Sequence, residues 1–120
     1  MKNVMIIDDD IEMLEYYKNN FHMDNCQLFL VKDLIEAHRL LDHQKMDLII
    51  CDYKLHEDTG LDFLRSMRRY IETTPFILLS GANLDLNITH ALDTKTINQF
   101  IQKPLKGPEL TEILSNYFIH

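Results

Sequence analysis

Three aspartates in a row, Asp8-Asp9-Asp10, follow the apolar run Val4–Ile7, and a fourth, Asp52, follows the run Leu48–Cys51. Two more apolar runs also give way to polar side chains. Phe76–Leu79 is followed by Ser80-Gly81, and Phe100-Ile101 by Gln102 and then Lys103-Pro104. Carboxylates gathered in one place repel, which raises some of their pKa values unless a cation intervenes. A hard divalent ion with oxygen ligands resolves the conflict, and Mg2+ characteristically takes one or two carboxylates while keeping several waters. An aspartate in such a cluster can act as a nucleophile and accept a phosphoryl group as an acyl phosphate. A lysine can then neutralise a phosphoryl oxygen as a point charge, and a hydroxyl can hydrogen-bond another. Asp8, Asp9, Asp52, Ser80 and Lys103 therefore suit phosphoryl transfer, whose catalysis is largely positioning and electrostatics.

That chemistry requires a fold that brings these five residues together. Five short apolar runs, Val4–Ile7, Leu28–Val31, Leu48–Cys51, Phe76–Leu79 and Phe100-Ile101, read as strands, most of them apolar on both faces as buried parallel strands are. Segments with helical periodicity alternate with them. The first is marked by Ile11, Leu14 and Phe21, the second by Leu34, Ala37 and Leu41, and the third by Leu61, Leu64 and Met67. A fourth, around Leu84–Leu92, is weakened by Asn87, Ile88 and Thr89, which are poor helix formers. The last carries Leu110, Ile113, Leu114 and Tyr117 at i, i+3, i+4, i+7. Asp33 with Glu36 and Thr59 with Asp62 read as caps with a carboxylate three residues on, and Pro108 after Gly107 reads as a first helical position. Five strand-helix units imply an α/β fold: a doubly wound, five-stranded parallel sheet with helices on both faces. In such folds the ligand site lies at the carboxyl ends of the strands, where the polar residues collect.

Composition narrows the classes. The 120 residues suit one domain, 1–120, with a hydrophobic fraction of 46% and a charged fraction of 26%. The net charge of -7 argues against direct nucleic-acid contact or adhesion to an anionic membrane surface. Cys26 and Cys51 form neither a metal spacing nor a disulfide framework and suit a reducing cytosol. No apolar run is long enough to span a membrane, and Met1–Asp8 has no signal-peptide pattern. His22, His38, His43, His56, His90 and His120 lack metal-ligand spacing and are expected to be mostly exposed. Plainer readings compete at each position. Asp10 suits an N-cap better than a metal ligand. Ser80 and Phe100 taken singly are structural residues, and Arg65, Arg68 and Arg69 make a solvated basic stripe.

The segments Ile6-Ile7-Asp8-Asp9, Asp47-Leu48-Ile49-Ile50-Cys51-Asp52-Tyr53, Thr59-Gly60-Leu61, Leu79-Ser80-Gly81-Ala82 and Phe100-Ile101-Gln102-Lys103-Pro104 occur in order across Val4 to Phe118. Together they resemble the receiver domain of bacterial two-component response regulators. The resemblance implies a (βα)5, flavodoxin-like fold with strand order 2-1-3-4-5. It makes Asp52 the phosphoacceptor, with Mg2+ held directly by Asp9, mainly through water by Asp8, and by Asp52 and the backbone carbonyl of Lys54. It makes Lys103 the phosphate-pairing lysine before a cis Pro104, Ser80 the switch hydroxyl and Phe100 the switch aromatic. A sensor histidine kinase or phosphotransfer protein would donate the phosphoryl group in the cytoplasm. An output domain or effector protein would read the result, with the chain either stand-alone or part of a longer regulator. His56 stands where the family usually has Pro, and Ser80 where Thr is commoner. The stretch from Ser80 to Lys103 looks about one residue longer than the family's, which bears on the fourth helix. The positions that tune acyl-phosphate hydrolysis hold Lys54 and Ala82, and neither favours holding an attacking water, so self-dephosphorylation should be slow. Competing readings are a degenerate receiver that binds a partner without phosphorylation and an aspartyl-nucleophile phosphatase. The second wants D-x-D-x-T where this chain has Asp8-Asp9-Asp10-Ile11-Glu12. A dinucleotide-binding domain is disfavoured because no G-x-G-x-x-G follows a strand.

Overall fold

The computed structural model describes residues 1–55, 58–68, 73–81 and 85–118. His56, Arg69, Ala82, Leu84 and His120, each invoked above, lie outside the described residues. The elements alternate throughout: β1 (Lys2–Ile7), α1 (Ile11–Asn20), β2 (Cys26–Val31), α2 (Leu34–His43), β3 (Leu48–Asp52), α3 (Gly60–Met67), β4 (Phe76–Ser80), α4 (Leu86–Asp93), β5 (Gln99–Gln102) and α5 (Gly107–Phe118). All pairings within the sheet are parallel, and the strand order is β2-β1-β3-β4-β5, as expected.

Alternation along the central strands divides the core into two layers. Met5, Ile7, Ile49, Cys51, Phe76 and Leu78 face one side, where Ala37 of α2, Leu61, Phe63, Leu64 and Met67 of α3, and Ile88 and Ala91 of α4 cover them. Val4, Ile6, Leu48, Ile50, Ile77 and Leu79 face the other, under Tyr17 of α1 and Leu110, Ile113 and Leu114 of α5. Every residue of β3 and β4 is buried, whereas most of edge strands β2 and β5 is half-buried or exposed. Each fully buried aliphatic or aromatic side chain contributes about 1.5–3 kcal/mol, so the three inner strands form a stiff base for whatever stands at their ends.

The expected caps are present. Asp10 accepts from the backbone N–H of Glu12 and Met13, Asp33 from Glu36 and Thr59 from Asp62. Three details differ from the sequence reading. Ile11, taken as an inward marker of the first helix, is 63% exposed, and the buried anchor of α1 is Tyr17. The fourth helix does form. Asp85 caps it through Ile88 N–H, and burial of Ile88 and Ala91 overrides weak local propensity. α5 starts at Gly107, so Pro108 is its second residue, not its first. His22, His43 and His90 are exposed, while half-buried His38 sets its ring edge-on to Phe63. On the basic stripe Arg65 pairs with Asp62, and the Arg68 guanidinium donates to the Thr96 carbonyl at 3.0 Å. Arg68 therefore ties α3 to the loop before β5. Among the described residues, no helix is long and apolar enough to cross a membrane.

Candidate functional site

Parallel register carries the polar strand ends to one edge of the sheet. Ile7 lies beside Cys51, Asp52 beside Leu79, and Ser80 beside Gln102. Asp8, Asp52, Ser80 and Lys103 consequently surround one crevice despite their separation along the chain.

At its centre the Lys103 ammonium donates to Asp8 Oδ2 at 3.0 Å and to Asp52 Oδ2 at 2.9 Å. The other Asp8 oxygen accepts from the Asp10 N–H at 2.9 Å, so that carboxylate is held at both ends and is fully buried. Asp52 is 7% exposed, while Asp9 stands at the open mouth. One carboxylate oxygen from each of Asp8, Asp9 and Asp52 lies within 4.8 Å of the others, the one such acidic group among the described residues. Lys103 is fixed from behind as well, because its N–H donates to the Ser80 carbonyl at 2.8 Å. The Lys103-Pro104 bond is cis.

One ammonium shared by two carboxylates has unequal consequences. At Asp52 burial is the largest influence and raises the pKa. The hydrogen bond and charge of Lys103 pull it down but do not cancel burial, and Asp8 and Asp9 push it further up. At Lys103 burial opposes the charged form, yet the hydrogen bonds and charges of Asp52 and Asp8 outweigh it, so its pKa also rises. The lysine is doubly paired, whereas each carboxylate has half a partner. With all four groups ionised, three carboxylates and one ammonium leave a charge of −2, which a divalent cation would neutralise.

The loop leaving β3 holds Asp52 in place. Tyr53 N–H donates to the Leu79 carbonyl at 2.6 Å, and Gly60 N–H donates to the Tyr53 carbonyl at 2.7 Å. A Cβ on Gly60 would sit 2.6 Å from the Asp52 carbonyl oxygen and 2.9 Å from Leu78 Cδ1, so only glycine fits there unaltered. Lys54 is exposed, its backbone bridged to Thr59. Ser80 is 5% exposed at the end of β4. Phe100, beside Leu78 in the sheet, is half-buried against the core layer that contains α4.

Three tyrosines to which the sequence assigned no role bear on the site. Tyr17 is fully buried, its hydroxyl has no hydrogen-bond partner among the described residues, and its pKa rises to about 12, first through burial and then through the charge of Asp8. The Tyr53 hydroxyl donates to Asp85 Oδ2 at 3.2 Å, connecting the residue after Asp52 to the α4 cap. The Tyr16 hydroxyl accepts from the Gly107 N–H at 2.9 Å. Only Tyr17 carried a signal, since it lies three residues after Leu14 on the inward stripe.

The chain matches the response regulator receiver domain family over residues 4–115. Among curated relatives, the hydrogenase transcriptional regulatory protein HoxA of Bradyrhizobium diazoefficiens is 24% identical over 91% of this chain and 22% of its own length. The response regulator SaeR of Staphylococcus aureus is 24% identical over 97% of this chain and 50% of its own. The chain thus spans half or less of the length of these relatives. A two-component response regulator from Clostridium difficile superposes with a TM-score of 0.85 at 22% identity, covering 98% of this chain and 95% of that one. The response regulator TrrA of Thermotoga maritima, solved in complex with Mg(2+)-BeF, gives a TM-score of 0.78 at 19% identity, covering 98% of this chain and 100% of that one. At these identities the structural likeness speaks to the fold. With the family match over nearly the whole chain, it follows that this protein belongs to the response regulator receiver domain family.

Proposed function

We propose that this domain is a phosphorylation-controlled switch in which Asp52 accepts a phosphoryl group from a phosphohistidine on a sensor histidine kinase or phosphotransfer protein, in the cytoplasm. The observation that carries this reading is the Lys103 ammonium bridging Asp8 and Asp52, with Asp9 at the mouth of the same crevice. Hard carboxylate oxygens, in a cluster whose net charge with Lys103 is −2, suit Mg2+ better than a soft transition metal. Asp8, Asp9 and Asp52 would hold it, with the Lys54 carbonyl as a further oxygen donor. Bound there, Mg2+ supplies positive charge to the carboxylates and to phosphoryl oxygens during transfer.

The chain's own residues do the rest. An Asp52 carboxylate oxygen attacks phosphorus, an O–P bond forms, and the P–N bond to the imidazole breaks with its electron pair staying on nitrogen. Lys103 turns part of its charge from Asp52 to a phosphoryl oxygen, and the Ser80 hydroxyl donates to another. Drawing the Ser80 side chain toward the phosphoryl group vacates space behind it, and Phe100 turns inward. The surface of α4, β5 and α5 changes with it and is read by an output domain or effector protein. Lys54, with a donor-only side chain, and Ala82, with no polar group, favour slow self-hydrolysis. The domain thus acts as a signalling element whose chemistry is confined to its own phosphorylation. A phosphorylation-independent binding module would have no use for the shared lysine.

The test is intact mass after treatment with acetyl phosphate and Mg2+. The parent should gain one phosphate and Asp52→Asn none. A gain that persists unchanged in Asp52→Asn overturns the assignment.

A further inference from the structure

Helix α5 follows directly on the Lys103 loop, yet the residue that opens it cannot cap it. Lys106 occupies the N-cap position, its carbonyl accepting from Leu110 N–H at 2.9 Å, but its side chain has no acceptor. Pro108 removes one of the orphan donors of the first turn. Of the remaining donors at the helix start, Gly107 N–H is taken by the phenolic oxygen of Tyr16 at 2.9 Å, 91 residues away on α1. A tertiary contact thus replaces the local cap.

The same point is a close backbone approach. A Cβ on Gly107 would lie 2.8 Å from the Asn20 carbonyl oxygen, so the last turn of α1 touches the first turn of α5. Asn20 in turn donates its side-chain N–H to the Tyr16 carbonyl at 3.0 Å. The Tyr16 ring stands edge-on to Tyr17 at 5.8 Å between centroids, and Tyr17 is buried in one cluster with Leu105. The segment from Lys103 to Gly107 is therefore pinned three times: by Lys103 N–H on Ser80, by Leu105 in the core, and by Gly107 on Tyr16. The first two pins leave the far end of the loop open. The third closes it against α1, the helix that begins directly after Asp8, Asp9 and Asp10.

We infer that Tyr16 is a positioning residue for Lys103: by capping α5 from α1, its hydroxyl fixes the loop that aims the ammonium between Asp8 and Asp52. The inference rests on the phosphoacceptor reading of Asp52, and the experiment separates the two. Rates that depend on orientation fall by up to about 100-fold for a displacement of an ångström. Loss of one of three pins is expected to cost less, about 3- to 10-fold.

The experiment is a double-mutant cycle on the initial rate of phosphorylation by acetyl phosphate at saturating Mg2+. Tyr16→Phe keeps the ring against Tyr17 and removes only the hydroxyl that accepts from Gly107 N–H, and thermal melts of all four proteins check the fold. The expected result is that Tyr16→Phe slows the parent about 3- to 10-fold and adds nothing in the Lys103→Ala background, although its effect on the melt is the same in both. Equal slowing in both backgrounds means that Tyr16 acts on general stability and overturns the inference, as does an unchanged rate in Tyr16→Phe. A Lys103→Ala variant as fast as the parent removes the role of Lys103 and the inference with it, while a parent that takes no phosphate at all refutes the phosphoacceptor reading itself.

Discussion

Lys103→Met tests the electrostatics of the site without touching a carboxylate. The substitution keeps an unbranched stem and deletes the ammonium that reaches Asp8 at 3.0 Å and Asp52 at 2.9 Å. At an effective dielectric of about 20, each contact at that distance has a gross attraction on the order of 5 kcal/mol. Part of it is offset by desolvation, and breaking a buried pair at one end typically costs about 3–5 kcal/mol. Asp8 is fully buried, but the lysine side chain is 21% exposed and the crevice opens to solvent, so the lower end applies: about 3 kcal/mol at neutral pH without Mg2+. Two signatures separate this cause from lost packing. First, Asp52 loses the influences that lower its pKa and keeps burial, Asp8 and Asp9, which raise it. A carboxyl raised in the folded state contributes stability that is full below its unfolded pKa and is lost as pH rises through its folded value. The deficit of Lys103→Met should therefore shrink as pH falls into the carboxylate range. Second, a divalent cation at ten times its dissociation constant adds about 1.4 kcal/mol, and Lys103→Met, with more uncompensated charge, should gain more than the parent from the same Mg2+ concentration. Urea unfolding followed by circular dichroism, at two pH values with and without Mg2+, measures both. A deficit that is independent of pH, with a Mg2+ response equal to the parent's, refutes the reasoning.

Other residues give independent tests. Gly60→Ala places a Cβ 2.6 Å from the Asp52 carbonyl oxygen, so it should cost about 1–3 kcal/mol and slow acetyl phosphate labelling about 10- to 100-fold; a labelling rate equal to the parent's contradicts the geometry. Tyr17→Phe removes a buried hydroxyl that has no hydrogen-bond partner among the described residues and should stabilise the domain by about 1 kcal/mol at neutral pH. Because folding raises the Tyr17 pKa from 10.0 to about 12, the parent's protonated hydroxyl contributes stability that is lost as pH rises across that window. The advantage of Tyr17→Phe in paired melts should grow there by on the order of 2 kcal/mol. Lys95 follows the end of α4 with φ 59°, so Lys95→Gly should raise stability by about 0.5–1 kcal/mol in urea titrations, while Lys95→Val should lower it.

The strand ends were legible because their chemistry and the fold rule agree. Asp8 follows a buried run, Asp52 and Ser80 end buried strands, and Lys103 follows the partly exposed edge strand β5; parallel strands align such ends on one edge. The caps at Asp10, Asp33 and Thr59 were legible because they are local. What escaped depends on how distant segments meet. Ile11 and Tyr17 fit the same inward stripe, and only the seating of α1 on the sheet exposes one and buries the other. α4 forms despite Asn87, Ile88 and Thr89 because the core layer takes up Ile88 and Ala91. No local pattern announces that Tyr16 caps α5, or that one lysine divides its charge between carboxylates 95 and 51 residues away.

The central claim is that the phosphoryl group resides on Asp52, as an acyl phosphate. Borohydride reduces an acyl phosphate to the alcohol, which turns a phosphorylated aspartate into homoserine. After treatment with acetyl phosphate and Mg2+, reduction and digestion, peptide mass spectrometry should find homoserine at position 52, with Asp8, Asp9 and Asp10 intact. Homoserine at any of those three with Asp52 unchanged, or labelling confined to a histidine, contradicts the account.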